Sequence, residues 1–498
     1  MKLPLNIVLL LLVPLFTTAQ VWPQENDTIH YRMVGFIFPT NAKASYYKLE
    51  IARGINNNNT YFNKNIIQKS TTQENRQIQT VPAFGQSYTW RITYLNHKKK
   101  ATGQSPLYHF TTGAVNLADT SRYRLKILAN EMPGKDLWIL SDGNKCMYNL
   151  DGEPIWYLPP IPGVINADDN IRDLKITNHN TITFLSGNGC FEIDYDANIL
   201  WQTPPAQKTA ADGSAFFHHE FTRLSNGHYM VAGKEYTEQQ LPPWADTTSI
   251  KADNDIFYRN GNYYKKIIGG TLLEYDSNSK IVWQLPLHSY FSTADYFSKQ
   301  LPSGKYISET HFNSFCFDEK NHIIYLSFRN ADRVLKISYP EGKLLCSYNG
   351  TATSGKQQQT TFRAQHCVRA NETGNISLLN NGSKKGKTGV SSVVIFKEDT
   401  AAPGNIALQW EFPCDIDTLA APNAEAGGSV YRIDGNKLLV AMGTAARIFI
   451  VSREKNILWN AVGQVKRNDI WVPQAQYRAS PVQSFAQLEK LIFFRKKI

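Results

Sequence analysis

Three short histidine motifs hold the residues of this sequence that are best suited to chemistry. They are His218-His219-Glu220-Phe221, His311-Phe312-Asn313-Ser314 and Gln365-His366-Cys367, and Arg329 follows the second motif. A neutral imidazole can act as a nucleophile or a base, and a guanidinium offers a planar fork of donors to an oxyanion. If the fold brings these side chains together, they form an anion site that contains a nucleophile or a base.

The segments that carry these motifs belong to a repeat that begins near residue 114. Its units end in a turn, an apolar run and a Trp, at Trp156, Trp201, Trp283, Trp410 and Trp459, with Cys346 at the equivalent place in a sixth unit. The spacing, from about 45 residues upward, is typical of four-stranded β units. Asn226-Gly227 and Asp434-Gly435 predict tight hairpins within the units. We therefore predict an all-β chain with a six-bladed β-propeller over residues 114–498, in which each Trp packs between neighbouring blades.

The motifs occupy equivalent positions in these units. Counting back about ten residues from the first apolar residue after each hairpin turn reaches Arg172, His219, Asn313 and His366. Blades are related by rotation about a central axis, so equivalent innermost positions approach each other at the mouth of the channel. The register therefore predicts one shared site, to which Arg172 is assigned by register alone.

The first 113 residues differ from the repeat. A basic start, an apolar run from Ile7 to Phe16 and the small-residue junction at Ala19 are typical of a secretory signal peptide over residues 1–19. We therefore expect an exported protein, either periplasmic or extracellular. The sequence contains no later apolar stretch of about 20 residues, so we predict no membrane span. Short β-rich runs follow over residues 20–113. The last of them, Tyr108 to Gly113, resembles the closing strand of a fibronectin type III module, which predicts a small β-sandwich.

Charge and local motifs argue against several classes of protein. The formal net charge is +11, but the Lys and Arg residues are scattered rather than striped, which argues against a nucleic-acid partner. No Gly-rich phosphate loop lies between a strand and a helix, which argues against a nucleotide-sulfate enzyme. No Cys is followed by the x-Pro-x-Arg that formylglycine sulfatases need.

The six cysteines are compatible with disulfides or with buried free thiols. None of them forms a Cys-x-x-Cys pair or has the spacing of a four-cysteine zinc site. The sequence therefore predicts no cofactor and no metal, and it leaves the oligomeric state open.

Taken together, the motifs resemble the bacterial aryl-sulfate sulfotransferases, which use no nucleotide sulfate donor. Members of that family are exported six-bladed propellers with a small N-terminal β-sandwich, so the resemblance covers the whole mature chain. The residues that it assigns to catalysis are His366 as the nucleophile, His219, His311 and Arg329, and those that it assigns to substrate binding are His218, Asn313 and Thr444. The segment Gln476-Tyr477-Arg478-Ala479 resembles the family's closing strand. Cys367 departs from the Asp that often follows the nucleophile, and the family's early site tyrosine has no assigned counterpart.

The resemblance implies a two-step transfer between phenols. His366 would attack the sulfur of a phenolic sulfate, release the phenol and carry the sulfuryl group until a second phenol accepts it. Such covalent transfer predicts ping-pong kinetics. The acceptor phenol, with a reference pKa of about 10, needs a base, and either His219 or His311 could serve.

Two other functions fit the same residues. The histidines could bind a metal in a metal-dependent hydrolase, with Glu220 as the one carboxylate at the matching positions. A secreted propeller could instead bind a partner or glycan on its face, where the 12% aromatic content would suit stacking.

Overall fold

The computed structural model describes residues 21–113, 122–187, 189–204, 217–245, 255–297, 306, 309–349, 351–354, 357–360, 362–382, 389–399, 404–418 and 421–494. Strands dominate these segments, which confirms the all-β class. The chain divides into two compact units. The smaller contains the segment that ends at Ile29 together with Met33–Gly113, and the larger contains His30–Arg32 and Ala114–Phe494.

The smaller unit packs two sheets against each other. Its elements are β1 (Asp27–Ile29), β2 (Met33–Ile37), β3 (Tyr46–Arg53), α1 (Asn59–Lys64), β4 (Ile66–Thr72), β5 (Arg76–Thr80), β6 (Ser87–Leu95), β7 (Ala101–Gln104) and β8 (Tyr108–Thr112). One sheet has the order β1-β8-β6-β3-β4 with β7 also on β6, and β2 pairs with β5 in the other. Phe36 of β2 lies edge-on to Trp90 of β6 at 5.2 Å between ring centroids, so aromatic packing joins the two sheets.

The larger unit opens with three groups of strands. Their elements are β9 (Tyr123–Asn130), β10 (Trp138–Ser141), β11 (Cys146–Asn149), β12 (Pro154–Tyr157), β13 (Arg172–Ile176), β14 (Ile182–Ser186), β15 (Gly189–Ile193), β16 (Ile199–Gln202), β17 (Phe217–Arg223), β18 (Tyr229–Gly233), β19 (Tyr236–Gln240), β20 (Ile256–Arg259), β21 (Asn262–Ile268), β22 (Thr271–Tyr275), β23 (Ile281–Pro286), a 3-10 turn (His288–Tyr290) and α2 (Thr293–Phe297).

The rest of the larger unit continues in the same manner. Its elements are β24 (Phe312–Asp318), β25 (Ile323–Phe328), β26 (Arg333–Ser338), β27 (Leu344–Asn349), β28 (Thr351–Ser354), β29 (Gln357–Thr360), β30 (His366–Ala370), β31 (Asn375–Asn380), β32 (Ser392–Glu398), β33 (Ile406–Pro413), β34 (Ser429–Arg432), β35 (Lys437–Ala441), β36 (Arg447–Ser452), β37 (Ile457–Arg467), β38 (Ile470–Pro473), β39 (Ala479–Val482) and α3 (Phe485–Ile492).

Most of these strands form antiparallel sheets of four or more strands, numbered here in chain order. Sheet 1 is β39-β10-β11-β12, sheet 2 is β13-β14-β15-β16, and sheet 3 is β17-β18-β22-β23. Sheet 4 is β24-β25-β26-β27, sheet 5 is β30-β31-β32-β33, and sheet 6 is β34-β35-β36-β37 with β38 and β9 added. Smaller sheets pair β19-β21-β20 and β28-β29.

The first strands of the six sheets contact each other in a closed order. β39 lies against β13, β13 against β17, β17 against β24, β24 against β30, β30 against β34, and β34 against β39. β39 comes from the end of the chain but pairs with β10, where Ser141 opposes Ala479 and Trp138 opposes Val482. The last strand therefore completes the first sheet.

Four of the five repeated Trp residues donate a hydrogen bond to the sheet that follows their own. The indole nitrogen of Trp156 donates to the Tyr195 carbonyl at 2.9 Å, and that of Trp459 donates to the Leu150 carbonyl of sheet 1 at 2.7 Å. Trp283 and Trp410 make the same kind of bond to the sheet that follows theirs. These contacts agree with the packing between repeat units that the sequence predicts.

All six cysteines are free, and five of them are buried. Of the two alternatives that the sequence leaves open, the structure has the buried thiols, which act as small apolar side chains in the core. Among the described residues, no helix combines the length and apolar character needed to cross a membrane.

Candidate active site

A cavity of about 500 Å³ lies in the larger unit, where the first strands of several sheets begin. All four histidines predicted from the sequence line it, namely His218, His219, His311 and His366. Thr444 and Arg172 also line it, together with residues that the sequence did not single out for a role, which include Tyr123, Lys234 and Tyr477. The repeat register therefore brings imidazoles from sheets 3, 4 and 5 to one space.

Backbone irregularities direct these side chains into the cavity. The pairing register shifts between Arg172 and Lys175, between Phe217 and Phe221, between Phe312 and Ser314, and between His366 and Arg369. His219, His311, Asp173 and Cys367 have positive φ angles of 68°, 58°, 55° and 58°. A non-glycine residue rarely adopts such an angle, and bulges of this kind re-aim side chains beside active sites.

The contacts of His366 define the tautomer of its ring. Its Nδ1 lies 2.8 Å from the amide oxygen of Asn381 and 3.1 Å from the Ala364 carbonyl. The amide of Asn381 is fixed because its Nδ2 donates to the carbonyls of Ala424 and Gly427. Since both partners of Nδ1 only accept, Nδ1 carries the proton and Nε2 carries the lone pair. Among the described residues, the Gly427 amide donates a long hydrogen bond of 3.3 Å to Nε2.

Burial keeps the His366 imidazole neutral. Removal from water lowers the pKa of His366 to about 3; the hydrogen bond to Asn381 opposes this shift, and the electrostatic influence of His311, Arg329 and Arg478 adds to it. At neutral pH the ring therefore presents an unprotonated Nε2, as a nucleophile requires.

The other histidines form a chain along the cavity. His218 and His219 share a hydrogen bond of 2.5 Å between their Nδ1 atoms, and the ring of His219 lies 5.0 Å from that of His311. Burial lowers the pKa of His218 to about 3 and that of His219 well below its ordinary value. Both are therefore neutral donors or acceptors at neutral pH.

His311 differs because it has a carboxylate partner. Its Nδ1 lies 3.5 Å from an oxygen of Glu309, and Lys234 lies 3.5 Å from the same oxygen. Burial raises the pKa of Glu309, but His311 and Lys234 outweigh burial and bring that pKa down to about 2. An ionised carboxylate on Nδ1 orients the ring and leaves Nε2 to act as a base.

Two of the predicted residues are not among those that line the cavity. Asn313 is fully buried, and its amide donates to the Gln365 carbonyl at 2.6 Å, so it holds the strand that carries His366. Arg329 donates from Nη1 to Asn330 at 3.0 Å and from Nη2 to the Glu425 carbonyl at 3.0 Å. Both side chains therefore hold protein segments together.

A buried ionic network lies behind the lining residues. Arg478 contacts Asp173 at 2.5 Å and Glu220 at 2.6 Å, and Lys175 and Arg369 contact Glu220 at 2.9 and 3.0 Å. In the chain, Arg478 directly follows Tyr477, Asp173 follows Arg172, and Glu220 follows His219, and all three preceding residues line the cavity. Burial raises the pKa of Glu220, yet the three cations lower it to about 2. The network therefore anchors three first strands while their neighbouring side chains face the cavity.

Sequence reasoning missed several residues of this site. Glu309 lies two positions before His311 and could have been found from that spacing. Asn381 comes from the next strand, 15 residues after His366, and no local motif marks it. Tyr477 lies inside the closing-strand motif, although no role was assigned to it. Across the described segments, no three His, Cys, Asp or Glu side chains are grouped as a metal site requires.

Comparison with known proteins identifies the family. The model of the family described as Arylsulfotransferase (ASST) matches residues 98–415, which is well over half of the chain. The chain therefore belongs to the arylsulfotransferase family, and membership supports sulfotransferase activity on small-molecule substrates. No curated protein sequence matches the chain.

Similarity to solved structures is low. A protein of unknown function from Bacteroides caccae is 11% identical at a TM-score of 0.39, covering 73% of this chain and all of its own. A functionally unknown protein from Desulfotomaculum acetoxidans is 10% identical at a TM-score of 0.34, covering 78% and 95% of the two chains. The Cps50 (Swd1) β-propeller domain from Myceliophteria thermophila is 10% identical at 0.31, covering 60% and 88%. Scores this low do not define a shared fold.

Proposed function

We propose that this protein moves a sulfuryl group from a phenolic sulfate ester to a phenolic acceptor through a covalent sulfo-histidine on His366, without a nucleotide donor. Family membership supports the reaction class. The observation that carries the mechanism is the arrangement of His366, a cavity-lining residue whose Nδ1 is held by Asn381 while its unprotonated Nε2 accepts a long hydrogen bond from the Gly427 amide.

The reaction proceeds in two displacements at sulfur. The lone pair on Nε2 of His366 forms a bond to sulfur while the bond from sulfur to the aryl oxygen breaks, and the phenolate leaves with that electron pair. The imidazole, now substituted on Nε2, keeps its proton on Nδ1, and that N–H still donates to the Asn381 oxygen. A second phenol gives its proton to a base, its oxygen attacks sulfur, and the electron pair of the N–S bond returns to Nε2.

We assign the acceptor base to His311. Glu309 holds its Nδ1 side, so Nε2 is the basic nitrogen, whereas His219 and His218 use their Nδ1 atoms on each other. Replacing Glu309 by Gln should slow acceptor sulfation by about 10-fold, a typical cost for losing a partner of a general base. The rapid release of the first phenol should change less than about 3-fold, which stopped-flow absorbance can check. Equal slowing of both steps would refute the assignment of His311 as base.

The fold that we propose is a six-bladed β-propeller over residues 114–498, preceded by a fibronectin-III-like sandwich over residues 20–113 and a signal peptide over residues 1–19. The closed order of first-strand contacts and the completion of sheet 1 by β39 support the propeller. Export to a periplasmic or extracellular location is tested by expressing the full chain and finding the N-terminus and location of the processed product. A product that stays in the cytoplasm and retains Met1 as its N-terminus would overturn export.

The central experiment compares His366→Asn with His97→Asn, an exposed histidine in the smaller unit. Each protein is mixed with 4-nitrophenyl sulfate and a second phenol, and both the sulfated acceptor and an acid-labile sulfo adduct are measured. We expect transfer and adduct in the wild type and in His97→Asn, and neither in His366→Asn with an unchanged Tm. Retained turnover in His366→Asn overturns the nucleophile.

The same assay separates the alternative functions. A secreted binding module would give no sulfated acceptor in any of the three proteins. A metal-dependent hydrolase would release phenol without sulfating the acceptor and would lose activity in a chelator.

A further inference from the structure

The smaller unit carries a large share of the excess positive charge of the chain. Residues 21–29 and 33–113 contain ten Lys and Arg against four Asp and Glu, whereas the whole chain has 53 against 42. Each of the four carboxylates already has a partner within 3.2 Å, namely Arg91 for Glu50, His109 for Glu25, Arg76 for Glu74 and the Gln24 amide for Asp27. The surface lysines of this unit therefore find little counter-charge within it.

Three of these lysines lie side by side on a turn of defined geometry. Lys98, Lys99 and Lys100 connect β6 to β7, and all three are exposed. The side-chain oxygen of Asn96 accepts the backbone amides of Lys98 and Lys100 at 3.0 Å, and its carbonyl accepts that of Lys99 at 2.8 Å. Among the described residues, none of the three lysines forms an ion pair. The fold thus holds three like charges together without relieving their repulsion.

The backbone of this turn does not call for lysine. Lys99 has a φ of 56°, a conformation in which glycine or asparagine is the usual residue. Its ammonium group lies 5.5 Å from the centre of the Tyr46 ring, so its side chain reaches back over the sheet. Since the turn forms through Asn96, its three charges need an explanation outside the folding of the unit.

The turn borders an open face of the larger sheet of this unit. Tyr46 and Lys48 of β3 point to that face, because the alternating Tyr47 and Leu49 are buried between the two sheets. One row of opposed residues crosses four strands on this face: Thr71, Lys48, Thr93 and Gln104. At about 4.8 Å between neighbouring strands, the row is about 14 Å long, which is room for a few sugar rings.

The surroundings of these lysines favour a polysaccharide over a membrane. The exposed large apolar residues of the unit are Ile55, Tyr61 and Ile67. They lie in or beside α1, at the other end of β3 from Tyr46 and the lysine turn. A surface that enters the headgroup region of a bilayer combines its cations with such apolar side chains, and the lysine turn is separated from them.

The same surroundings favour a polysaccharide over a nucleic acid. Single-stranded nucleic acids stack successive bases on several aromatic rings, whereas Tyr46, half-buried, is the aromatic residue of this part of the described face. The exposed Thr71 and Gln104 beside it offer hydroxyl and amide groups. Such groups both donate and accept hydrogen bonds, as the hydroxyls of a sugar require.

We propose that Lys48, Lys98, Lys99 and Lys100, together with Tyr46, form a lysine face that binds an acidic polysaccharide. The ammonium groups pair with carboxylates or sulfates along the polymer, the Tyr46 ring packs on a sugar ring, and the row of hydroxyl and amide groups bonds to sugar hydroxyls. This binding goes beyond the proposed sulfuryl transfer and uses no residue of the cavity.

The test measures binding of the full-length protein to immobilised alginate, a carboxylated polymer, and to chondroitin sulfate, a sulfated one. The triple variant K98Q/K99Q/K100Q should bind the preferred polymer about 3- to 100-fold more weakly than the wild type, as expected for the loss of three surface ion pairs. Higher salt should weaken wild-type binding more steeply than binding of the variant, because exposed charges are screened.

A second triple variant controls for net charge. K280Q/K343Q/K455Q removes three exposed lysines of the larger unit, so it changes the total charge equally. It should reduce binding less than about 2-fold if the location of the charges matters rather than the basic character of the whole protein.

Tyr46 tests the contact with the sugar ring. Tyr46→Leu should weaken binding by about 2- to 10-fold, whereas Tyr46→Phe should keep the wild-type affinity, because the ring rather than the hydroxyl packs on the sugar. If Tyr46→Leu lowers Tm so far that it does not fold, the lysine variants decide, since their side chains are exposed.

Other ligands separate the alternatives. Neutral dextran, oligothymidylate and phosphatidylglycerol vesicles are compared with the two acidic polysaccharides, the charged ligands at equal concentrations of charge. Tighter binding to the DNA or the vesicles, equal losses in the two triple variants, or no binding to either acidic polysaccharide overturns the lysine face. Sulfuryl transfer from 4-nitrophenyl sulfate should be unchanged in K98Q/K99Q/K100Q, so the lysine face and the proposed reaction fail independently.

Discussion

Asn381 should control the reactivity of His366 although it never touches substrate. Its amide oxygen accepts the Nδ1 proton at 2.8 Å, and its own Nδ2 is fixed by two carbonyls. Asn381→Ala removes the acceptor that is strengthened when Nε2 bonds to sulfur and the ring becomes more positive. A hydrogen bond to a charged group contributes about 1.5–3 kcal/mol, so formation of the sulfo-histidine should slow by about 10- to 150-fold.

The neighbouring Asn380 provides a matched control. It accepts the Arg363 amide at 2.8 Å and donates to Ser392 at 3.1 Å, but it does not contact His366. Both alanine variants should lose stability, while only Asn381→Ala should lose the burst of 4-nitrophenol that precedes acceptor sulfation. Equal loss of the burst in the two variants, after correction for folded fraction, would refute control of the tautomer by Asn381.

Two further predictions concern stability. The pKa values of His218, His219 and His366 are lowered in the folded protein, so the unfolded chain binds more protons than the folded one below pH about 6.5. Tm should therefore fall as the pH drops from 6.5 towards 3. The buried Asp142, whose pKa burial raises to about 7, opposes this fall only in part. Calorimetry at several pH values checks the slope, which His366→Asn should flatten, and a Tm that rises on acidification contradicts it. Glu220→Gln should destabilise the fold by about 3–5 kcal/mol because it leaves buried cations uncompensated, whereas the exposed Glu153→Gln should cost less than about 1 kcal/mol in denaturant unfolding. Equal costs would show that the network does not anchor the strands.

Repeat register predicted the centre of the site well. Hairpin turns set the position of the first strands, and these strands contact each other in a closed order, so His219, His366 and Arg172 could be assigned to one cavity before any coordinates were known. In sheet 4, however, His311 lines the cavity whereas Asn313, the residue that register selects, bonds to the Gln365 carbonyl, and register alone cannot distinguish the two. Bulges interrupt the first strands of sheets 2 to 5, and they leave no mark in the alternation of apolar and polar residues.

Partners from other strands were beyond sequence reasoning. Asn381 and Tyr477 reach the site from another strand and from the end of the chain, and their roles depend on contacts rather than on local spacing. Residue type and spacing identify candidates, whereas the partners of each nitrogen determine what it can do.

The completion of sheet 1 by β39 has a consequence for biosynthesis. Tyr477 and Arg478 directly precede that strand, so a segment that follows the other sheets in the sequence supplies part of the cavity wall and the cation at the middle of its supporting network. A nascent or proteolytically clipped chain that ends before these residues cannot assemble the pocket, however well its earlier sheets have folded. Activity should therefore emerge in a single event, when this segment docks, rather than accumulate as the earlier sheets form.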